Sequence, residues 1–213
     1  MLVRDRMKSP VVTVSPDMPI HEALSIMKQA QIRHIPVLQD GKLVGIVATE
    51  DLVFAHPSPA TSLSIWEMNY LLSKITVKEV MTEEVITVDM DTPIEEAASI
   101  MAEHKIGSIP VTNKGKLVGI ITETDLFKIF PELLAIHQPG IRATLLIKEE
   151  PGQLAKVTRV IAEHGGNFLS FVQFAGEGHH NRLVTIKVEG LSLQDVRRYL
   201  TPIVEKVIDL RKI

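Results

Sequence analysis

The groups best placed for chemistry sit in two similar stretches of the chain. In Gly119-Ile120-Ile121-Thr122-Glu123-Thr124-Asp125, a hydroxyl and a carboxylate fall where an apolar strand gives way to a helix. Free backbone N–H groups at such a junction favour an anion, and the side chains can accept from or donate to ligand hydroxyls. The same spacing, Thr122 to Asp125, is that of a capping box, worth roughly 1 kcal/mol to the helix start with no ligand present. Both readings stand on the residues alone. In the earlier stretch Ala48 replaces the hydroxyl residue, although Thr49 follows and Asp51 remains.

Other chemistries have little to build on. The absence of cysteine removes disulfides, thiolate metal sites and cysteine nucleophiles, and fits a reducing compartment. Neither Gly41-Lys42 nor Gly115-Lys116 has the upstream glycine and following Ser/Thr of a phosphate loop, and no Gly-x-Ser-x-Gly occurs. His179-His180 lie in a polar tip without a third ligand at metal spacing and read as a turn. A net charge of −3 and a pI of about 6.2, with Lys and Arg scattered, leave no basic field for nucleic acid. The first residues lack the apolar core of a signal peptide, and no run approaches the roughly 18 apolar residues of a membrane span. The expectation is a soluble, cytoplasmic, non-catalytic protein with no metal, nucleic-acid or membrane partner.

The elements that must position these groups come from a duplication. An offset of 74 aligns Val3 with Val77 through Val53 with Phe127 without a gap, and roughly half the positions are identical. Val11-Val12-Thr13-Val14 meets Val85-Ile86-Thr87-Val88, and Gly41-Lys42-Leu43-Val44-Gly45-Ile46 meets its copy at 115–120. Within each copy the apolar period predicts a short strand, then a helix bearing Ile20, Ala23, Leu24 and Met27. A strand at 35–38, a turn at Asp40-Gly41, a strand at 43–47 and a helix opening near Asp51 or Asp125 follow. Thr92-Pro93-Ile94-Glu95 predicts a capping box that the first copy, with Met18 at that place, lacks. Each unit is thus β-α-β-β-α, and two copies should pack around a cleft with approximate two-fold symmetry. The connection at 55–75 opens on His56-Pro57-Ser58-Pro59, and Ser64-Ile65-Trp66-Glu67 predicts a capped linker helix. That helix packs Trp66 on the repeats or presents it to a partner.

The pattern Val-x-x-x-Met, Thr-Val, Ile-Pro-Val, Gly-x-Leu-Val-Gly-Ile and Asp-Leu resembles the CBS motif, present as a tandem pair over about the first 130 residues. The resemblance implies an adenine nucleotide (ATP, ADP or AMP) or a related adenosine compound in the cleft. Thr122, Asp125 and Asp51 would serve phosphate and ribose, Thr13 and Thr87 would lie near the base, and the strands opening at His34-Ile35 and Ser108-Ile109 would read the adenine edge. With Ala48 in place of the hydroxyl residue the carry-over is weaker in the first copy, so the two clefts should differ in affinity; Arg33 and His34 could add phosphate contacts in the first cleft that Gly107 and Ser108 do not offer.

After Pro139-Gly140 the pattern restarts: a strand at 141–147, a helix opened by Pro151-Gly152 with Leu154, Val157, Val160 and Ile161 on one face, and Gly165-Gly166 at its end. A hairpin at 167–175 and 182–188, a helix capped by Ser192 and a final strand at 204–210 complete a ferredoxin-like βαββαβ order with one uncovered sheet face. The run from Glu149 to Leu154, with Ile161-Ala162-Glu163-His164-Gly165-Gly166-Asn167, resembles the ACT regulatory domain. That implies an amino-acid effector site at Glu149, Gly152, Leu154 and Asn167, or a dimerising sheet that binds nothing.

The expected architecture is α+β/α/β: repeat one with its linker at 1–76, repeat two at 77–138 and an ACT domain at 139–213. This arrangement is similar to acetoin-utilisation AcuB-type proteins. It implies a homodimeric ligand sensor acting on a regulated protein partner, or a scaffold whose repeats have lost their ligand, as Ala48 suggests.

Overall fold

Two-residue turns that need positive φ at both central positions organise the first part of the chain. Asp40 (φ 51°) and Gly41 (φ 75°) join β1 (His34–Gln39) to β2 (Lys42–Ala48), and Lys114 (φ 49°) and Gly115 (φ 76°) join β4 (Ser108–Asn113) to β5 (Lys116–Thr122). Such turns match the right-handed twist of the strands they connect. In the computed structural model, which describes residues 1–55 and 74–213, the chain divides into two units, Met1–Leu126 and Phe127–Ile213. The expected linker helix around Trp66 lies outside the described residues.

Every element of the first repeat recurs 74 residues later. Helix α1 (Ile20–Ala30) buries Ile20, Ala23 and Met27, and α3 (Ile94–His104) buries Ile94, Ala97 and Met101, one stripe at helical spacing in each. Short helices α2 (Thr49–Phe54) and α4 (Glu123–Phe127) follow the second strand of each hairpin. Among the described residues, no helix is long and apolar enough to cross a membrane.

Two sequence expectations are corrected. The first strand of each repeat shrinks to a single parallel bridge, Val14 to Val37, and to β3 (Val88–Asp89) beside β4. Val14 donates to the Pro36 carbonyl at 3.2 Å and accepts from Leu38 N–H at 2.9 Å, while Val11 and Val12 turn aside to line a cleft. The capping box at Thr92 does not form: the helix is capped by Pro93, whose carbonyl accepts from Glu96 and Ala97. Thr92 instead gives its carbonyl to Val3 N–H at 2.9 Å, and Met18 gives its own to Val77 N–H at the same distance. Both helices therefore start alike, at Pro19 and Pro93.

Those last two bonds belong to a reciprocal exchange between the repeats. Lys8 and Ile120 trade backbone hydrogen bonds at 2.8 and 3.1 Å, and Thr82 and Ile46 trade theirs at 2.9 and 3.0 Å. Leu2 bridges Pro93 as Thr76 bridges Pro19. Val77, which opens the second copy, is fully buried in the core of the first with Val14, Ile35, Val37, Val47 and Leu52. The core of the first repeat is thus completed by a residue of the second.

The second unit is a four-stranded antiparallel sheet, ordered β7 (Asn167–Ala175), β8 (Asn181–Glu189), β6 (Ile141–Lys148), β9 (Lys206–Lys212). Helices α6 (Gln153–Glu163) and α7 (Leu193–Leu200) lie on one face, closing a core of Ala143, Leu145, Ile147, Val184, Ile186, Val157, Ile161, Val196 and Leu200. The order is βαββαβ. Ser192 caps α7 by accepting from Asp195 N–H at 3.1 Å. On α6 the inward face is Gln153, Val157 and Ile161; Leu154, expected among them, is 38% exposed. Before this sheet runs α5 (Ile129–Leu133), and the fully buried Lys187 donates its ammonium to the Ala135 carbonyl at 2.9 Å.

The exchange explains the Gly of each Gly-Ile pair. A Cβ at Gly119 would lie 2.6 Å from Met7 Sδ and 2.9 Å from the Lys8 carbonyl, and one at Gly45 would lie 2.4 Å from Met81 Sδ. Overpacking of this kind costs about 1–3 kcal/mol. Gly119→Ala is expected to lose that much in urea denaturation, and Met7→Ala combined with it to lose less than the sum of the two single changes. Strict additivity would show that the methionine and glycine do not oppose each other.

Candidate functional site

The exchange also makes the clefts, because it brings the segment after Met7 against β5 of the other repeat and the segment after Met81 against β2. The first cleft, of about 190 Å³, is walled by Val11, Val12, Ile32 and Ile120, with Lys8, Arg33, His34, Thr122 and Thr124 as its polar lining. Its counterpart, of about 280 Å³, is walled by Val85, Ile86, Ile106 and Ile46, with Glu50, Asp51, Glu84, Lys105 and Ser108. His34 and Gly107 line both. A residue and its repeat mate thus serve opposite clefts: Thr122 faces the first with residues 8–12, and Ala48 faces the second with residues 82–86.

At the strand-to-helix junction of the first cleft, Asp125 is buried and accepts from the Thr122 hydroxyl at 2.6 Å and the Thr122 N–H at 3.1 Å. The capping reading of this pair is realised, and the carboxylate stands behind the hydroxyl rather than in the cleft lining. In the second cleft Ala48 has no hydroxyl. Asp51 accepts from Ala48 N–H at 2.7 Å, stays half-buried and reaches the cleft.

The other sequence-stated positions divide. His34 and Ser108 reach the clefts, whereas the side chains of Ile35 and Ile109 are fully buried in the cores and only their strands pass the site. Thr13 and Thr87 line neither cleft; Val11, Val12, Val85 and Ile86 occupy the place expected for them, since the chain leaves the sheet before Val14 and Val88. Lys8, Lys105, Glu50, Glu84 and Thr124 were not singled out by sequence. No local motif marks them, because each lines a cleft only through the crossing of the two repeats.

In the second unit the structure separates the residues expected to form one effector site. Glu149 to Leu154 border a hollow of about 330 Å³ with Gln173 and Arg182, where Arg182 pairs with Glu149 and Gly152 (φ 86°) caps α6. Asn167 lies at the other end of the sheet: it pairs in register with Glu189 and donates to its carboxylate at 2.9 Å, whereas Lys148 pairs with Asn181. The seven-residue step from Ile141 to Lys148 spans about 24 Å at strand rise, so one chain does not bring Asn167 to the 149–154 turn. Among the described residues, no group of three or more His, Asp or Glu side chains is placed to hold a metal.

Two compact repeats sharing a pair of symmetric clefts define a class, and the comparisons agree with it. The family model for the CBS domain matches residues 3–58 and 77–132, and the chain belongs to the CBS-domain family. A CBS pair is a regulatory module. The CBS domain-containing protein YhcV of Bacillus subtilis is 32% identical over 124 residues, 58% of this chain and 81% of that protein. An inosine-5′-monophosphate dehydrogenase of Korarchaeum cryptofilum is 36% identical over 118 residues, 55% of this chain but only 22% of the enzyme. Among solved structures, the CBS domain pair of protein MJ0100 in complex with 5′-methylthioadenosine and S-adenosyl-L-methionine superposes with a TM-score of 0.51 at 32% identity, covering 61% of this chain and 95% of that one. A structure described as an acetoin utilization protein (AcuB) from Vibrio cholerae gives 0.53 at 33% identity, covering 64% and 95%.

Burial, and secondarily the guanidinium of Arg33, hold the His34 imidazole below its ordinary value of 6.5, against the opposing pull of Glu50, Asp51 and Glu123. Between the lowered folded value and 6.5 the unfolded chain binds the extra proton, so stability rises with pH across that window and is lost as pH falls below it. His34→Gln is therefore expected to flatten the fall in urea midpoint between about pH 7 and about pH 5.5. An unchanged slope would assign the acid sensitivity to other groups.

Proposed function

We propose that this chain is a non-catalytic cytoplasmic sensor whose CBS pair holds an adenine nucleotide (ATP, ADP or AMP) or a related adenosine compound at the seam between repeats. The observation that carries the reading is the pair of open, apolar-walled clefts with convergent polar groups that the repeat exchange creates. A binding site for a small molecule has this character. A CBS pair 32% identical to this one, solved in complex with 5′-methylthioadenosine and S-adenosyl-L-methionine, supports an adenosine moiety. The volumes, small against the roughly 300–1,000 Å³ of drug-sized pockets, suit a single nucleoside whose polar tail points to solvent. His34, Ser108 and the strand backbones at Ile35 and Ile109 would face the base, and Thr122 and Asp51 the ribose or its substituent.

The second unit completes the sensor as an ACT-type domain that pairs two copies into a homodimer or takes an amino-acid effector near Glu149, Gly152 and Leu154, as in an AcuB-like regulator of a partner protein. The edge strands β7 and β9 support pairing; the sheet face away from the helices, expected to be bare, instead buries Lys187, Thr144 and Thr185. Binding would act by shifting the packing of the repeats. A tenfold preference for one conformation supplies about 1.4 kcal/mol, enough to bias a two-state element but not to throw it fully.

A scaffold without ligand is the second reading, and the bonds that tie Asp125 to Thr122 as a helix cap favour it. A melting-shift panel separates the two. At a ligand concentration 100 times Kd the sensor gains about 2.7 kcal/mol, whereas no shift with millimolar AMP, ADP, ATP or adenosine leaves the scaffold. Thr122→Ala removes the hydroxyl that caps α4 against the buried Asp125, so the apo melting temperature should fall by the few degrees that about 1 kcal/mol represents. Binding in the first cleft is expected to weaken about tenfold, the order of one lost polar contact.

A further inference from the structure

The two clefts share one backbone but differ at nearly every polar position. Where the first cleft has Lys8, Arg33, Thr122 and Thr124, the second has Thr82, Gly107, Ala48 and Glu50. Pro10 of the first cleft is matched by Glu84 of the second, and the one change that runs the other way, Gln31 to Lys105, is outnumbered. With His34 neutral, the lining carries a formal charge of +2 in the first cleft and −2 in the second.

The buried side of the site deepens the split. In the first cleft the Thr122 hydroxyl and N–H both bond the Asp125 carboxylate, which is withdrawn from the lining. In the second the corresponding Asp51 has only the Ala48 N–H from that residue and reaches the cleft beside Glu50 and Glu84. Opposite charges at the mouths of neighbouring clefts select ligands by sign and repel the wrong one.

We infer that the clefts are specialised by charge: the first takes an adenosine compound bearing phosphate, and the second takes one that bears none, uncharged or cationic at the 5′ position. The inference rests on the adenosine reading above and names the ligand class of each cleft. His34, shared by both linings, lies where an anion in the first cleft and a cation in the second act on the same imidazole, so the two ligands are coupled through it.

Calorimetric titration of the full chain with AMP, adenosine and S-adenosylmethionine at low salt tests this. AMP is expected to fill one site per chain and adenosine two, and S-adenosylmethionine to bind in the presence of saturating AMP. Arg33→Gln should weaken AMP about tenfold and leave adenosine within about twofold, the pattern of a lost charge contact rather than a damaged pocket. Glu50→Gln with Glu84→Gln should open a second AMP site. AMP filling both clefts of the unaltered chain equally, or Arg33→Gln weakening AMP and adenosine alike, overturns the charge assignment while leaving the adenosine reading intact. No binding of any of the three overturns both.

Discussion

The first unit depends on the mutual exchange of backbone hydrogen bonds between Lys8 and Ile120 and between Thr82 and Ile46. Each repeat sends its opening segment across to the other, which is why Val77 is buried with the residues of repeat one and why Met7 and Met81 press against Gly119 and Gly45. A polar backbone group left unpaired in such a crossing would cost about as much as a lost hydrogen bond. The two repeats therefore stand as one folding unit, and a change at the seam is felt by both.

The same crossing decides the chemistry of the clefts. Because the opening segment and the second hairpin strand come from different repeats, each cleft mixes residues from both copies, and duplication does not yield two equal sites. Sequence drift in one copy alters both clefts at once, in opposite senses: Arg33 adds charge to the first, while Ala48 exposes Asp51 to the second. His34, its imidazole held below the ordinary value chiefly by burial, sits where the two meet.

In the second unit the organising feature is a buried cation. Lys187 lies on the sheet face away from α6 and α7, the face that holds the Thr144 and Thr185 hydroxyl pair, and its ammonium is bonded by the Ala135 carbonyl. That contact, with the two bonds between Gly140 and Ile213, fixes the segment before β6 to the sheet it precedes. A buried ammonium without such a partner would be strongly unfavourable.

Local order was largely legible in the sequence. The 74-residue offset, the Asp40-Gly41 turn, the helix stripe Ile20, Ala23, Met27 and the Ser192 cap all depend on neighbours in the chain, and period and turn chemistry report those directly. The junctions at Thr122–Asp125 and Ala48–Asp51 were visible for the same reason. Tertiary structure decided what depends on crossing: that Pro93 rather than Thr92 caps α3, since Thr92 is engaged by Val3; that Thr13 and Thr87 miss the clefts; that Lys8 and Glu84 line them; and that Asn167 stands a sheet's length from Gly152. Residues far apart in the chain meet only when apolar burial draws the repeats together, and no period along one strand or helix records which partner lies opposite.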